Sequence, residues 1–195
     1  MDPRWSAELE PPYEIIAKAL KEGQVVPFLG AGVNVAPPAP EPQMGQAEVA
    51  RLPSGFELSR VLANASRFPA ESDEEREDLA KVASFFVDNG GRRRLRATLH
   101  ETFNKDFSPC KIHQYLAEIP RPLLIVTTNY DDLTEKAFEA KGRPYDLVVH
   151  PTDRTDLAGS VLWWKHGASK AEAQAPNTLP MMERLEEISV IYKMH

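Results

Sequence analysis

The sequence predicts an α/β domain built on a largely parallel sheet, with a block of helices inserted between its first two strands. Three observations carry that expectation. Leu123-Leu124-Ile125-Val126 is an unbroken apolar run that follows Pro120 and Pro122 and stops in the polar cluster Thr127-Thr128-Asn129-Tyr130-Asp131. A strand buried on both faces of a parallel sheet has this character. Gly30-Ala31-Gly32 ends an earlier apolar stretch in the same way, and between the two the apolar residues recur at helical spacing.

Pro12 stands in the first turn of a helix running to about Lys21, striped by Ile15, Ile16, Ala19 and Leu20 and closed by Gly23. Gln24 to Leu29 reads as the first strand. Ala36 to Pro53 carries Pro37, Pro38, Pro40, Pro42 and Pro53 and reads as a loop with one helical turn around Gln46 to Ala50. A helix Phe56 to Ser66 follows, with Ser54 as N-cap and Glu57 completing a capping box. Ser72 or Asp73 opens another, acidic in its first turn as the helix dipole prefers, with Leu79, Val82, Ala83 and Phe86 at helical spacing. Gly90-Gly91 breaks it, and Arg92 to Phe103 continues as a third helix whose arginine run reads as a solvated end. Lys111 to Glu118 leads into the central strand, and a helix Thr134 to Ala140 leaves it. Asp146 to Val149, Ser160 to Lys165 and Ser189 to Met194 read as further strands, and Ala171 to Pro180 as a loop-like spacer.

At 195 residues the chain suits one domain, 1–195, with the helical insertion at about 54–119. Its 23 basic and 29 acidic residues give a net charge of −6, which argues against a phosphate-backbone partner. Cys110 is the only cysteine, so an internal disulfide framework and a zinc site of several cysteines are excluded. Its plain reading is a small, partly buried residue. No apolar leader and no segment of transmembrane length is present, so a reducing cytoplasmic compartment is expected.

Residues at the carboxyl end of a parallel strand face the crevice where open α/β sheets bind ligands. Thr127 to Asp131 offers hydroxyls, a neutral amide and a carboxylate there, without an obvious nucleophile or metal cage. That set suits holding a polar cofactor. The turn Gly30-Ala31-Gly32-Val33-Asn34 would let backbone N–H groups approach a pyrophosphate. It completes neither the dehydrogenase fingerprint nor a P-loop, and alone a generic strand–turn glycine pair explains it as well.

Together the two motifs resemble the sirtuin-type NAD-binding domain. Gly30-Ala31-Gly32-Val33-Asn34 is similar to that family's Gly-Ala-Gly-x-Ser, and Thr127-Thr128-Asn129-Tyr130-Asp131 to its Thr-Gln-Asn-Ile-Asp. The resemblance implies a Rossmann-like parallel sheet with an inserted helical subdomain, and NAD+ as cofactor and substrate. It implies NAD contacts from Gly30, Ala31, Gly32, Val33, Asn34, Thr127 and Thr128, and a carboxamide contact from Asp131. Asn129 would position the nicotinamide ribose or an attacking water. Asn34 replaces the usual serine and Thr128 the glutamine; the Asp-Phe-Arg triplet of deacetylating members is absent, as are their four zinc cysteines, so no zinc is expected. The pattern looks more like the zinc-free sirtuin-like domains of prokaryotic antiviral defence systems, which hydrolyse NAD+ to nicotinamide and ADP-ribose.

The family adds a histidine base after a buried strand, in an apolar-x-apolar-His-Gly motif. Val190-Ile191-Tyr192-Lys193-Met194-His195 and Val161-Leu162-Trp163-Trp164-Lys165-His166-Gly167 are the two candidates. His195 is preferred, because its run is β-branched and aromatic and is similar to a Tyr-Lys-x-His-Gly form; His166, whose plain reading is a surface hairpin, is the alternative. His100, His113 and His150 lack matching context, and His113 reads as a helix-packing residue. An NAD- or ADP-ribose-sensing domain without turnover and an NAD-dependent protein deacylase stay open as alternatives. The resemblance is compatible with a fused or associated sensor domain and a homo-oligomer, and implies neither membrane nor nucleic-acid contact. With the preferred histidine last in the chain, it further implies a sheet incomplete at its C-terminal end, in a fragment of a longer protein that is inactive or weakly active alone.

Overall fold

The computed structural model describes residues 11–34, 52–103, 105–151 and 155–194. The proline-rich stretch 35–51, with the turn expected near Gln46 to Ala50, lies outside the described residues, and so does His195.

Among the described residues six strands form one sheet: β1 Phe28–Leu29, β2 Leu124–Thr127, β3 Tyr145–Val149, β4 Val161–Trp164, β5 Glu172–Gln174 and β6 Ser189–Lys193, in the order β1-β2-β6-β3-β4-β5. The first four in that order are parallel, β4 adds antiparallel to β3, and β5 antiparallel to β4. Leu29 lies opposite Thr127, Thr127 opposite Lys193, and Lys193 opposite Val149, so four carboxyl ends meet at one edge of the sheet. The α/β class with a mostly parallel sheet is therefore as the apolar runs indicate.

The strands differ from expectation where local chemistry overrides the pattern. β1 is short, because Pro27 has no N–H to extend the ladder; its carbonyl only accepts from Val126 N–H at 2.9 Å. Ala171 to Pro180 is no mere spacer: Glu172–Gln174 pairs with Val161–Trp163 as an edge strand whose polar residues give no apolar alternation. β6 is an interior strand, hydrogen-bonded to β2 on one side and β3 on the other, and among the described residues the sheet's edges are β1 and β5.

Among the helices, α1 is Tyr13–Lys21 and α2 is Gly55–Ser66. The capping box of α2 forms as read, with Ser54 N–H donating to Glu57 Oε2 at 2.7 Å and Glu57 N–H to Ser54 Oγ at 3.3 Å. The next segment divides into α3 Asp73–Glu77 and α4 Leu79–Phe103. Asp78 separates them in extended conformation, its carboxylate accepting from Lys81 N–H at 3.0 Å, a local bond that competes with helix continuation. Gly91, at φ 75° and ψ 160°, kinks α4 where the glycine pair was expected to break it. α5 Lys111–Glu118 and α6 Leu133–Ala140 flank β2, and α7 Met181–Glu187, absent from the sequence reading, precedes β6.

α2 and α4 share a core of Leu62, Ala63, Phe68, Val82 and Phe86. α5 does not join it. Leu116, Ala117 and Ile119 pack with Leu29, Ile125, Phe138 and Ile191, so α5 and α6 cover one face of the parallel strands and fix the loops at their carboxyl ends. Among the described residues no helix is long and apolar enough to cross a membrane.

Candidate functional site

The glycine turn and the Thr-Thr-Asn-Tyr-Asp loop leave adjacent strands at the same end of the sheet, and three side chains join them. Thr127, 2% exposed, donates from its hydroxyl to Leu29 O at 3.1 Å and accepts from Asn129 N–H at 3.0 Å. Its hydroxyl is thus committed beneath the loop rather than turned to the crevice. Asn129, 8% exposed, donates from Nδ2 to Gly30 O at 3.2 Å. Asn34 donates from Nδ2 to Asp131 Oδ2 at 2.8 Å, while Asp131 Oδ1 accepts from Leu133 N–H at 3.1 Å. The carboxylate is therefore held between the end of the glycine turn and the start of α6.

Ala31–Asn34 forms a 3₁₀ turn, with Val33 N–H donating to Gly30 O at 3.0 Å. Ala31 and Gly32 are exposed, and Thr128, also exposed, stands beside Gly30. Neither Gly30 nor Gly32 has a positive φ. Among the described residues, a Cβ on Gly32 would meet nothing within 4 Å and one on Gly30 only Thr128 Oγ1 at 3.9 Å, so their packing does not demand glycine. The open space above the turn is what a closely approaching ligand needs, and the orphaned, buried Asn34 Oδ1 is an acceptor still without a partner among the described residues. The exposed residues Ala31 and Gly32, with the Asn129 amide and the Asp131 carboxylate beside them, are the kinds of group a dinucleotide would need.

Two residues read only as packing support the turn from below. Cys110 Sγ donates to Val33 O at 3.3 Å, and His113 Nδ1 accepts from Cys110 N–H at 3.2 Å. That bond places the ring hydrogen on Nε2, which is buried without a partner among the described residues. Burial lowers the His113 pKa, opposed by the charge of Asp131, so the ring is held neutral beside the site. No spacing rule joins Val33 to a helix start 77 residues later, so the sequence carried no signal for it.

On the other side of the loop, Lys193 and Glu135 are each 7% exposed and form an ion pair at 2.5 Å. Burial pushes the Glu135 carboxyl up against the pull of Lys193. Lys193 Nζ also donates to Asp131 O at 2.6 Å, and Met194 N–H donates to Thr127 O at 3.0 Å. β6 therefore delivers its carboxyl end to this loop.

His166 goes elsewhere. β4 runs antiparallel to β3, with Trp164 opposite Leu147, so His166 emerges at the amino ends of the parallel strands. It is exposed, and its N–H donates to Asp146 Oδ1 at 2.8 Å. At roughly 3.3 Å per residue, the strand length alone separates it from Asn129 by more than ~10 Å. His100 lies in a cleft of about 380 Å³ at the Asn129 end, between Arg96, Leu99, His100 and Phe103 of α4 and Tyr130, Asp131 and Asp132 of the loop. A wider cleft of about 750 Å³ surrounds His166, Arg143, Tyr145 and Trp164; neither cleft is lined by the glycine turn or by Asn129, but the smaller one includes Asp131 of the loop.

Two similarities bear on this arrangement. The SIR2-like domain family matches residues 123–195. The NAD(+) hydrolase ThsA of Acinetobacter baumannii (strain 532279) is 30% identical over 164 residues, covering 82% of this chain and 30% of the relative. The chain thus spans just under a third of the length of the curated relative it matches.

Proposed function

The chain belongs to the SIR2-like family, and from that premise we propose that it binds NAD+ at the carboxyl ends of β1, β2 and β6 and hydrolyses it to nicotinamide and ADP-ribose. The observation that carries the reading is the double link between the two loops, Asn34 to Asp131 and Asn129 to Gly30, which brings an open glycine turn, an amide and a carboxylate to one strand edge. The relative's activity as an NAD(+) hydrolase supports it.

In this reading, the glycine turn and Thr128 receive the phosphates and adjoining ribose, and Asp131 faces the nicotinamide carboxamide. Nicotinamide leaves as a neutral molecule from a cationic precursor, so the C1′–N bond breaks without a general acid at the leaving group. The transition state is oxocarbenium-like, and the carboxylate at Asp131 opposes its positive charge. Asn129 Oδ1 orients the water whose oxygen bonds to C1′, and the water's proton passes to a base, for which His195 is our candidate on sequence grounds. The balance is one NAD+ and one water to nicotinamide, ADP-ribose and a proton. A role in defence by depletion of NAD+ is a further part of the proposal and rests on the family resemblance.

The test is incubation of the purified protein with NAD+ and quantification of nicotinamide and ADP-ribose in equal amounts. Saturable NAD+ binding without nicotinamide release would replace hydrolysis by sensing. Acyl transfer from an acyl-lysine peptide to ADP-ribose would replace it by deacylation.

A further inference from the structure

The loop Thr127 to Asp131 is gripped at both ends by one strand. Met194 N–H donates to Thr127 O at 3.0 Å, and Lys193 Nζ donates to Asp131 O at 2.6 Å. Asn129 sits between these anchors. The Lys193 backbone is itself fixed, its carbonyl accepting from His150 N–H at 2.8 Å.

A buried lysine needs partners, and Glu135 on the first turn of α6 supplies the charge. Stability alone is a poor reason for the pair. Burying two charges is costly, and well-packed apolar residues of similar volume often serve as well. The pair is also incompletely satisfied, since Glu135 Oε2 is buried without a partner among the described residues. What an apolar pair could not supply is the second contact of the Lys193 ammonium, its bond to the Asp131 carbonyl. That bond fixes the far end of the loop whose side chains reach across to Gly30 and Asn34.

We propose that Lys193 is a positioning residue for the hydrolysis: from within β6 it clamps the Asp131 carbonyl, so that the Asn129 amide and Asp131 carboxylate keep their place against the glycine turn. The proposal rests on the NAD+-hydrolase reading for its kinetic consequence but not for its structural one. A displacement of about 1 Å in a reacting group costs on the order of a hundredfold in rate, so a single hydrogen bond at the loop's end has leverage on turnover.

The experiment compares Lys193→Met, Glu135→Gln and the double variant Lys193→Met/Glu135→Leu. Lys193→Met strands the Glu135 carboxylate and loses both stability and turnover. The double variant removes both charges and regains the wild-type melting temperature, but its kcat stays at least about tenfold low while KM for NAD+ changes little. Its Asn129 and Leu133 amides exchange hydrogen faster than in the wild type, while those of β2 and the body of α6 stay protected. Glu135→Gln keeps the carbonyl clamp and retains most of the turnover.

Wild-type kcat and unchanged exchange in the double variant would overturn the proposal and leave the pair purely structural. Equal losses in Glu135→Gln and the double variant would also overturn it, assigning the effect to the ion pair rather than the clamp. If the wild type releases no nicotinamide, the hydrolase reading fails, and the exchange rates at Asn129 and Leu133 decide the clamp by themselves. Should the double variant not fold, the same exchange comparison between Glu135→Gln and Lys193→Met decides it.

Discussion

Asn34 and Asp131, 97 positions apart, are joined by a 2.8 Å hydrogen bond from Nδ2 to Oδ2 that ties the glycine turn to the loop after β2. A neutral donor to a carboxylate is worth roughly 1.5–3 kcal/mol, and here it also aims the carboxylate. Asn34→Ala is expected to weaken NAD+ binding by about tenfold or more. Asn34→Asp would do worse, since two carboxylates in contact repel. Calorimetric titration with NAD+ checks both; an Asn34→Ala protein that binds as tightly as wild type would detach this link from the ligand site.

Asn129 Nδ2 makes a structural bond to Gly30 O, and its Oδ1 is the end proposed to hold the water. Asn129→Ala is expected to lower nicotinamide release by about 10²–10⁴-fold, in line with loss of a group acting on the transferring proton or its water. Far-ultraviolet circular dichroism should stay that of the wild type. His195→Ala should fall in the same range if His195 is the base. Turnover surviving both changes would move the chemistry to other residues.

The legible parts of this molecule are those written in one stretch of chain. The apolar run 123–126 with its polar end gave β2 and the loop, Ser54 and Glu57 gave the cap of α2, and Gly90-Gly91 gave the kink in α4. What was not legible depends on contacts between distant segments. β6 reads as a strand from its residues, yet only pairing with both β2 and β3 makes it interior. β5, Glu172-Ala173-Gln174, is a short, mostly exposed edge strand with no large apolar residue, so no apolar alternation marks it. Cys110 carries no motif, and the Tyr-Lys-x-His-Gly likeness around Lys193 does not announce what its side chain holds; the partners of Lys193 and Cys110, Asp131 and Val33, lie 62 and 77 positions away. The two loop motifs were visible one by one, but the hydrogen bonds that make them one site were not.

His113 gives the site a pH-dependent support. Its folded pKa lies below the ordinary value of 6.5 because burial disfavours the charged ring, despite the charge of Asp131. Between that lowered pKa and about 6.5 the unfolded chain binds a proton that the folded protein refuses. Stability from this group is therefore complete above about pH 6.5 and is lost as pH falls below it. Glu135, whose folded pKa is raised, contributes with the opposite slope, so the comparison must be between variants. His113→Leu should flatten the loss between about pH 6.5 and 5 in urea titrations. An identical slope in variant and wild type would show that His113 does not titrate against folding.

Asp146 anchors the opposite end of the sheet and explains the place of His166. It is fully buried and accepts from Arg184 Nε at 2.8 Å, Arg184 Nη2 at 2.9 Å, Trp163 Nε1 at 3.0 Å and the His166 N–H at 2.8 Å. Burial by itself would raise its carboxyl, but the Arg184 hydrogen bonds, aided by the His166 N–H, hold it below its ordinary value. That stability is present above about pH 4 and is lost as pH falls through the lowered folded pKa. Arg184→Met leaves a buried carboxylate without its cation and should cost roughly 3 kcal/mol at neutral pH, with the acid limb moved upward. Asp146→Asn/Arg184→Met should cost less than the single change, because no buried charge is stranded. His166→Ala keeps the backbone N–H that Asp146 uses. It should therefore shift stability by no more than about 0.5 kcal/mol and leave nicotinamide release as in the wild type. A large loss of turnover in His166→Ala would instead bring chemistry to the amino ends of the strands, where neither the glycine turn nor Asn129 reaches, and would count against the site at the other end.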